Sequence, residues 1–176
     1  MDPLPAELFL CEDAAGTANV TKFGENLTMS MKEKMHTGAL YLPGDREILQ
    51  EQMQRLDRLY DFNMTRPSEL AKRQALLKEM FAEIGEDCYV EPPLYSNFGG
   101  GHVHFGRNIY ANFHLTLVDD THIYVGDYTM FGPNVIVATA GHPILPELRI
   151  QAYQYNAPVR FLFSCGRRQV RRFCRI

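Results

Sequence analysis

Apolar and polar positions along this chain follow two different periods, and the change from one to the other falls near residue 86. Ile48, Leu49, Met53, Leu56, Leu59 and Tyr60 recur at helical spacing with charged residues between them. They predict a helix over residues 46–62, with Asp45 placed to cap it after the Pro43-Gly44 turn. Leu70, Leu77, Met80, Phe81 and Ile84 give a second helix one apolar face. Thr65 or Ser68 is placed to cap that helix, Pro67 falls in its first turn, and Gly85 ends it. A short helix over 31–37 precedes the pair, so residues 31–85 form a helical N-terminal segment. Taken alone, these are ordinary antiparallel helices with no chemistry of their own. Residues 1–30 mix Gly, Ala, Thr and acids without a sustained period and read as a flexible leader.

From residue 86 on, β-branched and aromatic residues take over, punctuated by Glu91-Pro92-Pro93 and Gly99-Gly100-Gly101. Written in sixes from Phe105, the lead residues are Phe105, Ala111 and Leu117 and then, after two extra residues, Val125, Phe131 and Val137. The residues two before them are Val103, Ile109, Leu115, Ile123, Thr129 and Val135. Glycine follows the lead residue in Phe105-Gly106, Val125-Gly126 and Phe131-Gly132. Plain strand alternation accounts for the period of two, but not for this lead-plus-glycine register. A hexapeptide repeat accounts for both. It predicts a mainly β protein built as a parallel β-helix of triangular section, with one short strand and one corner per six residues. Lead side chains point inward, and Gly or Asn turns the corners at positive φ. Three sixes make one coil, so residues 105–140 supply about two coils, and such a stack must be capped.

Composition narrows the functional classes. The chain has 176 residues, 45% of them apolar and 22% charged, the balance of one globular domain. The net charge of -3 conceals a split: residues 1–159 carry 12 Lys and Arg against 21 Asp and Glu, while residues 160–176 carry six Arg and no acid. This excludes a uniformly basic nucleic-acid domain and an acidic disordered chain. No run of 18 apolar residues occurs, so no membrane span is expected. Asp2 and Glu7 stand where a signal peptide would be basic, which makes a cytoplasmic location the expectation. Cys11, Cys88, Cys165 and Cys174 match no zinc spacing and are expected as free thiols. The pair His102-Val103-His104 puts two imidazoles on one strand face, and solvated surface histidines are preferred there to a metal pair.

Several segments then occur in one order: Met35-His-Thr-Gly-Ala-Leu-Tyr-Leu-Pro-Gly-Asp45, Tyr60-Asp-Phe-Asn63, Pro67-Ser-Glu69, Tyr110-Ala-Asn-Phe113, Val118-Asp-Asp120, Gly132-Pro-Asn134 and Thr139-Ala-Gly-His-Pro143. Together they resemble the maltose/galactoside O-acetyltransferase family of hexapeptide-repeat proteins, over about residues 31–159. The resemblance implies a left-handed parallel β-helix preceded by helices and assembled as a homotrimer, with active sites between subunits. It also implies transfer of an acetyl group from acetyl-CoA, as co-substrate, to the hydroxyl of a small sugar acceptor, without a metal.

On the same resemblance His142 is the catalytic base, and the chemistry agrees. An imidazole near neutral pKa can take the proton of a sugar hydroxyl as its oxygen attacks a thioester. The bland alternative is a loop histidine that stabilises a turn. Asn112 matches the position that assists at the acetyl centre, where an amide can donate to an oxyanion, and an asparagine also suits a β-helix corner. Asp120 and Tyr110 match sugar-contacting positions, although Asp119-Asp120 could equally be a solvated turn. Asp45 matches a substrate-side aspartate and has its capping role as an alternative. Asn97 stands where family members carry Ser or Asp.

The family pattern runs through Tyr153-Gln-Tyr-Asn-Ala-Pro-Val159 and then stops. Residues 160–176 show no lead position, so residues 86–159 are expected as a truncated β-helix and 160–176 as a divergent basic tail. An out-of-frame or alternatively spliced end is the preferred origin. A true basic tail for an anionic partner and a substitute cap on the open coil are the alternatives. The rival function is a non-catalytic remnant that oligomerises or binds an anionic partner through its arginines.

Overall fold

The computed structural model describes residues 29–161. The expected leader, apart from Ser30 and its neighbour, and the basic tail beyond Phe161 lie outside the described residues. So do Cys11, Cys165 and Cys174. Cys88 is a buried free thiol.

Helix α1 (Met31–Lys34) is closed by a capping box between Ser30 and Glu33. Helix α2 (Arg46–Asn63) starts on Asp45, whose carboxylate accepts from the Glu47 backbone N–H at 2.9 Å, as its sequence position suggests. Helix α3 (Leu70–Met80) departs from expectation at both ends. Its N-cap is Glu69, without a side-chain capping bond. Thr65 instead donates to the Phe62 carbonyl and accepts from the Nε of buried Arg73 at 2.8 Å. The helix stops at Met80, and Ile84 belongs to a strand. Gly85 is therefore not a helix terminator. Its backbone N–H donates to the carbonyls of Phe105 and Gly106, and a Cβ there would sit 2.6 Å from the Gly106 oxygen.

The remaining chain winds into parallel coils. Their strands are β1 (Glu83–Ile84), β2 (Tyr89–Val90), β3 (Tyr95–Ser96), β4 (Val103–Phe105), β5 (Tyr110–Ala111), β6 (Thr116–Val118), β7 (Ile123–Val125), β8 (Met130–Phe131) and β9 (Ile136–Ala138). A hairpin of β10 (Ala140–Gly141) and β11 (Tyr155–Asn156) encloses helix α4 (Pro146–Ile150), and β12 (Val159–Phe161) rejoins the coils. The three faces of the prism are the sheets β1-β4-β7-β12, β2-β5-β8 and β3-β6-β9. Glu83 pairs with His104, and His104 with Tyr124, so a coil takes 21 and then 20 residues rather than three sixes.

The lead residues are inside. Phe105, Ala111, Leu117, Val125, Phe131 and Val137 are all buried, as are Val103, Ile109, Leu115, Ile123 and Thr129, while Val135 is half-buried. Asn108 and Asn134 turn corners at φ 55° and 58°. His114 and Tyr128 do the same at 62° and 58°; histidine, like asparagine, is enriched in this backbone region and tyrosine is not. The coils begin at Glu83, one turn earlier than the hexapeptide register could be read. They also extend past Val159: Phe161 pairs in register with Val125 and meets Phe131 edge to face at 5.8 Å. The expectation of no lead position after residue 159 is corrected at Phe161.

Leu59 and Phe62 of α2, Leu77 and Met80 of α3, and Phe81 join the coil interior in one apolar cluster, so the helices close the end of the prism that begins with β1. Asn63 locks this cap by bonding both the N–H and the carbonyl of Leu94 at 2.8 Å. Among the described residues, no helix is long and apolar enough to cross a membrane.

Candidate active site

Between β6 and β7 the chain makes a corner at Asp119 and Asp120, and both side chains are buried there rather than solvated. Asp119 accepts from the Ser96 hydroxyl and from the backbone N–H groups of Phe98 and Gly100, which shapes the segment 97–102 of the coil below. Asp120 is 6% exposed. Its Oδ2 accepts from the Asn97 side-chain amide at 2.8 Å and its Oδ1 from that of Gln154 at 2.9 Å. No cationic side chain pairs with it among the described residues. An ionised carboxylate offers about four lone-pair directions, so roughly two remain for hydroxyl donors.

Gln154 belongs to a buried polar cluster. Its amide nitrogen also reaches the Tyr41 hydroxyl at 2.6 Å and Asn156 Oδ1 at 3.1 Å, and Asn156 Nδ2 donates to the Met35 carbonyl at 2.9 Å. Tyr41 and Gln154 further exchange both backbone hydrogen bonds, at 2.9 and 3.0 Å. Burial pushes the Tyr41 phenol up, so it stays protonated.

His142 lies on the loop that leaves β10 and is exposed. Its Nδ1 is 3.2 Å from the carbonyl oxygen of Tyr153, the residue before Gln154. A carbonyl only accepts, so Nδ1 is the donor, and in the neutral ring the lone pair is on Nε2. Asp45 is occupied as the cap of α2. Tyr110 and Asn112 stand on and after β5, on a different face of the prism. Tyr110 stacks on Tyr89 with ring centroids 6.3 Å apart, and Asn112 Oδ1 accepts from the Phe113 N–H at 2.7 Å, leaving its amide nitrogen free of bonds among the described residues. Within one chain the structure therefore joins Asp120 with Asn97, and His142 and Asp120 each bond one residue of the 153–154 segment. No hydrogen bond brings Tyr110, Asn112 or Asp45 to that group among the described residues.

His102 and His104 correct the expectation of solvated histidines. His102 is buried and its Nδ1 donates to the Asp119 carbonyl at 2.6 Å. His104 Nε2 and His122 Nδ1 are 2.9 Å apart, and His36, from the turn after α1, packs on His102 and His122 with centroids 4.8 and 5.1 Å away. Burial first, and the neighbouring imidazoles second, lower the His36 pKa to about 4, and His122 is lowered for the same reasons. Tyr41, Gln154, Asn156 and Asp119 were not singled out from the sequence. The Tyr41–Gln154 contact spans 113 positions, so no local spacing signals it.

The stacked coils and the helical cap define a hexapeptide-repeat protein. Residues 34–85 match the model of the maltose acetyltransferase hexapeptide capping motif. The chain is 52% identical over 127 residues to a galactoside O-acetyltransferase of Lactococcus lactis subsp. lactis (strain IL1403), covering 72% of this chain and 61% of that protein. A solved structure of galactoside acetyltransferase in complex with coenzyme A is similar at 41% identity and a TM-score of 0.70, over 74% of this chain and 64% of that one. The crystal structure of a maltose O-acetyltransferase from Clostridium difficile 630 is similar at 33% identity and a TM-score of 0.72, over 74% of this chain and 69% of that one. The chain belongs to the maltose/galactoside O-acetyltransferase family, whose members carry the left-handed parallel β-helix. It spans 61% of the length of its Lactococcus relative.

Proposed function

We propose that this protein is an acetyl-CoA-dependent O-acetyltransferase acting on a sugar hydroxyl, with His142 as the base. The observation that carries the reading is the hydrogen bond from His142 Nδ1 to the Tyr153 carbonyl on an exposed loop, which in the neutral ring selects the tautomer with its lone pair on Nε2. Nε2 takes the proton of the acceptor hydroxyl while its oxygen bonds to the thioester carbonyl carbon. The tetrahedral intermediate collapses with cleavage of the C–S bond. The CoA thiolate leaves with the proton held by the imidazolium, giving an acetyl ester and CoA. The Asn112 amide is suited to donate to the oxyanion, a contact class that contributes about 3 kcal/mol. Asp120 receives sugar hydroxyls, with Asn97 beside it and Asp45 and Tyr110 completing the acceptor site. No metal is needed for any of these steps.

Tyr110 and Asn112 lie on and after β5 of the β2-β5-β8 face, whereas Asp120 is at the corner after β6 and His142 follows β10 of the separate hairpin. This supports a site built between neighbouring copies, in a homotrimer of the kind the family resemblance implies. The rival reading, binding through a free arginine tail, loses its first residue: Arg160 is a β12 residue whose guanidinium lies 3.9 Å from the centre of the Tyr124 ring. The test is CoA thiol release from acetyl-CoA with a panel of mono- and disaccharides. Release above that of a His142→Ala control is expected, and equal release by both proteins refutes the assignment.

A further inference from the structure

The segment after the His142 loop carries more than chain connectivity. Successive residues make different contacts: the Tyr153 carbonyl fixes His142, the Gln154 amide reaches Asp120, and Asn156 reaches Tyr41 and the Met35 carbonyl. Gln154 is 6% exposed, and chemistry decides which end of its amide faces Asp120. A carboxylate accepts only, so the NH2 group and not the carbonyl oxygen must point to it. Tyr41, paired with Gln154 through the backbone, also accepts from the same side-chain nitrogen through its hydroxyl.

We propose that Gln154 is a positioning residue for the acceptor site: its NH2 group, anchored on the Tyr41 hydroxyl by one hydrogen, gives the other to Asp120 and sets that carboxylate in the orientation that receives acceptor hydroxyls. This rests on the reading of Asp120 as an acceptor contact given above. The Gln154 side chain makes no described hydrogen bond to His142, so its loss acts on acceptor binding through Asp120. A glutamate at this position would face Asp120 with a second carboxylate, and only its protonated form could restore a donor.

The test uses the full chain. Gln154→Leu is expected to raise the acceptor KM about tenfold while the acetyl-CoA KM stays within about twofold. Gln154→Glu is expected to be worse than Gln154→Leu at pH 7.5 and to regain acceptor affinity relative to it at pH 5.5. Loss of packing alone would produce no such acid recovery. Equal effects on both substrates, or no difference between the two variants across pH, overturns the proposal. A further readout needs no turnover. The side-chain NH2 signals of Gln154 in 15N-resolved NMR are expected to exchange slowly with water and to shift in Asp120→Asn. If they exchange as freely as those of surface amides and ignore Asp120→Asn, the positioning role is wrong whatever the activity. Absence of acetyl transfer by the unsubstituted chain, with the Gln154 signals protected, overturns the acetyltransferase reading instead.

Discussion

Phe105 and Phe81 meet edge to face, with ring centroids 5.0 Å apart and planes at 88°. Phe105 is a lead residue of the coils and 1% exposed, and Phe81 closes the helical cap, so one contact joins the two periodicities of the chain. Phe105 also stacks on Phe131, in the next coil along the interior, at 6.1 Å. Truncation at this point opens a void that neither a rigid coil nor a helix end can fill. Phe105→Ala is expected to cost about 3–5 kcal/mol in urea unfolding, and Phe105→Leu clearly less. A loss below about 1 kcal/mol for the alanine variant would mean that the cap is held elsewhere.

The base assignment has a kinetic and a structural side. His142 is exposed and makes one described hydrogen bond, so His142→Ala should leave the unfolding midpoint almost unchanged. The turnover number should fall about 10²–10⁴-fold, the usual contribution of a positioned general base, with little change in the acetyl-CoA KM. A variant that keeps more than about a tenth of the activity would point to another base.

Burial of the six lead residues was readable because inward and outward positions alternate with glycine at fixed offsets. The first coil hides from the same reading for two reasons. Its lead positions, in register with Phe105, Ala111 and Leu117, are Ile84, Val90 and Ser96. Ile84 is four residues after Met80 and so continues a helical spacing, and Ser96 is polar. Ser96 is tolerated inside because its hydroxyl donates to Asp119. The site was legible to a smaller extent. His142, Asn112, Asp120, Tyr110, Asp45 and Asn97 came from resemblance, since each residue type has an equally good local role in a turn, corner or cap. Tyr41 and Gln154 lie inside segments that carry the resemblance, but nothing in either segment pairs them, because their meaning arises from a contact between distant segments and not from spacing along either one.

Gly99 occupies a position that no other residue suits. It has φ +60°, and a Cβ would lie 2.5 Å from the backbone carbonyl oxygen of Arg55 in α2. Backbone cannot retreat as a flexible side chain can, so steric conflict adds to conformational strain. Gly99→Ala is expected to lose at least about 2 kcal/mol, a fall in Tm of roughly 4–8 °C for a chain of this size. Gly44 is the control: it has no positive φ, and a Cβ added there would meet no atom within 4 Å. Gly44→Ala should be nearly neutral. Equal melting shifts in the two variants would refute the close-approach argument.

The histidine cluster predicts how stability follows pH. His36 is lowered to about 4, and His122 is lowered too, by burial first and by neighbouring imidazoles next. Around them stand His102 and His104, the cations Lys32 and Arg160, and the acids Glu51 and Glu83, with Glu83 Oε2 3.4 Å from His104 Nδ1. Unfolded, each histidine titrates near about 6.5. The folded state resists protonation below that point while the unfolded chain takes up protons, so acid favours unfolding. Their contribution is complete above pH ~6.5 and is lost as the pH falls from there towards about 4. Urea midpoints should therefore drop between pH 7.5 and 5.5, a window above most carboxylate titrations. His36→Gln removes the strongest shift while keeping a group that can bond Thr121, whose hydroxyl lies 3.0 Å from His36 Nδ1. That variant should lose less stability over the same two pH values. Parallel losses in both proteins would show that the cluster does not govern the acid response.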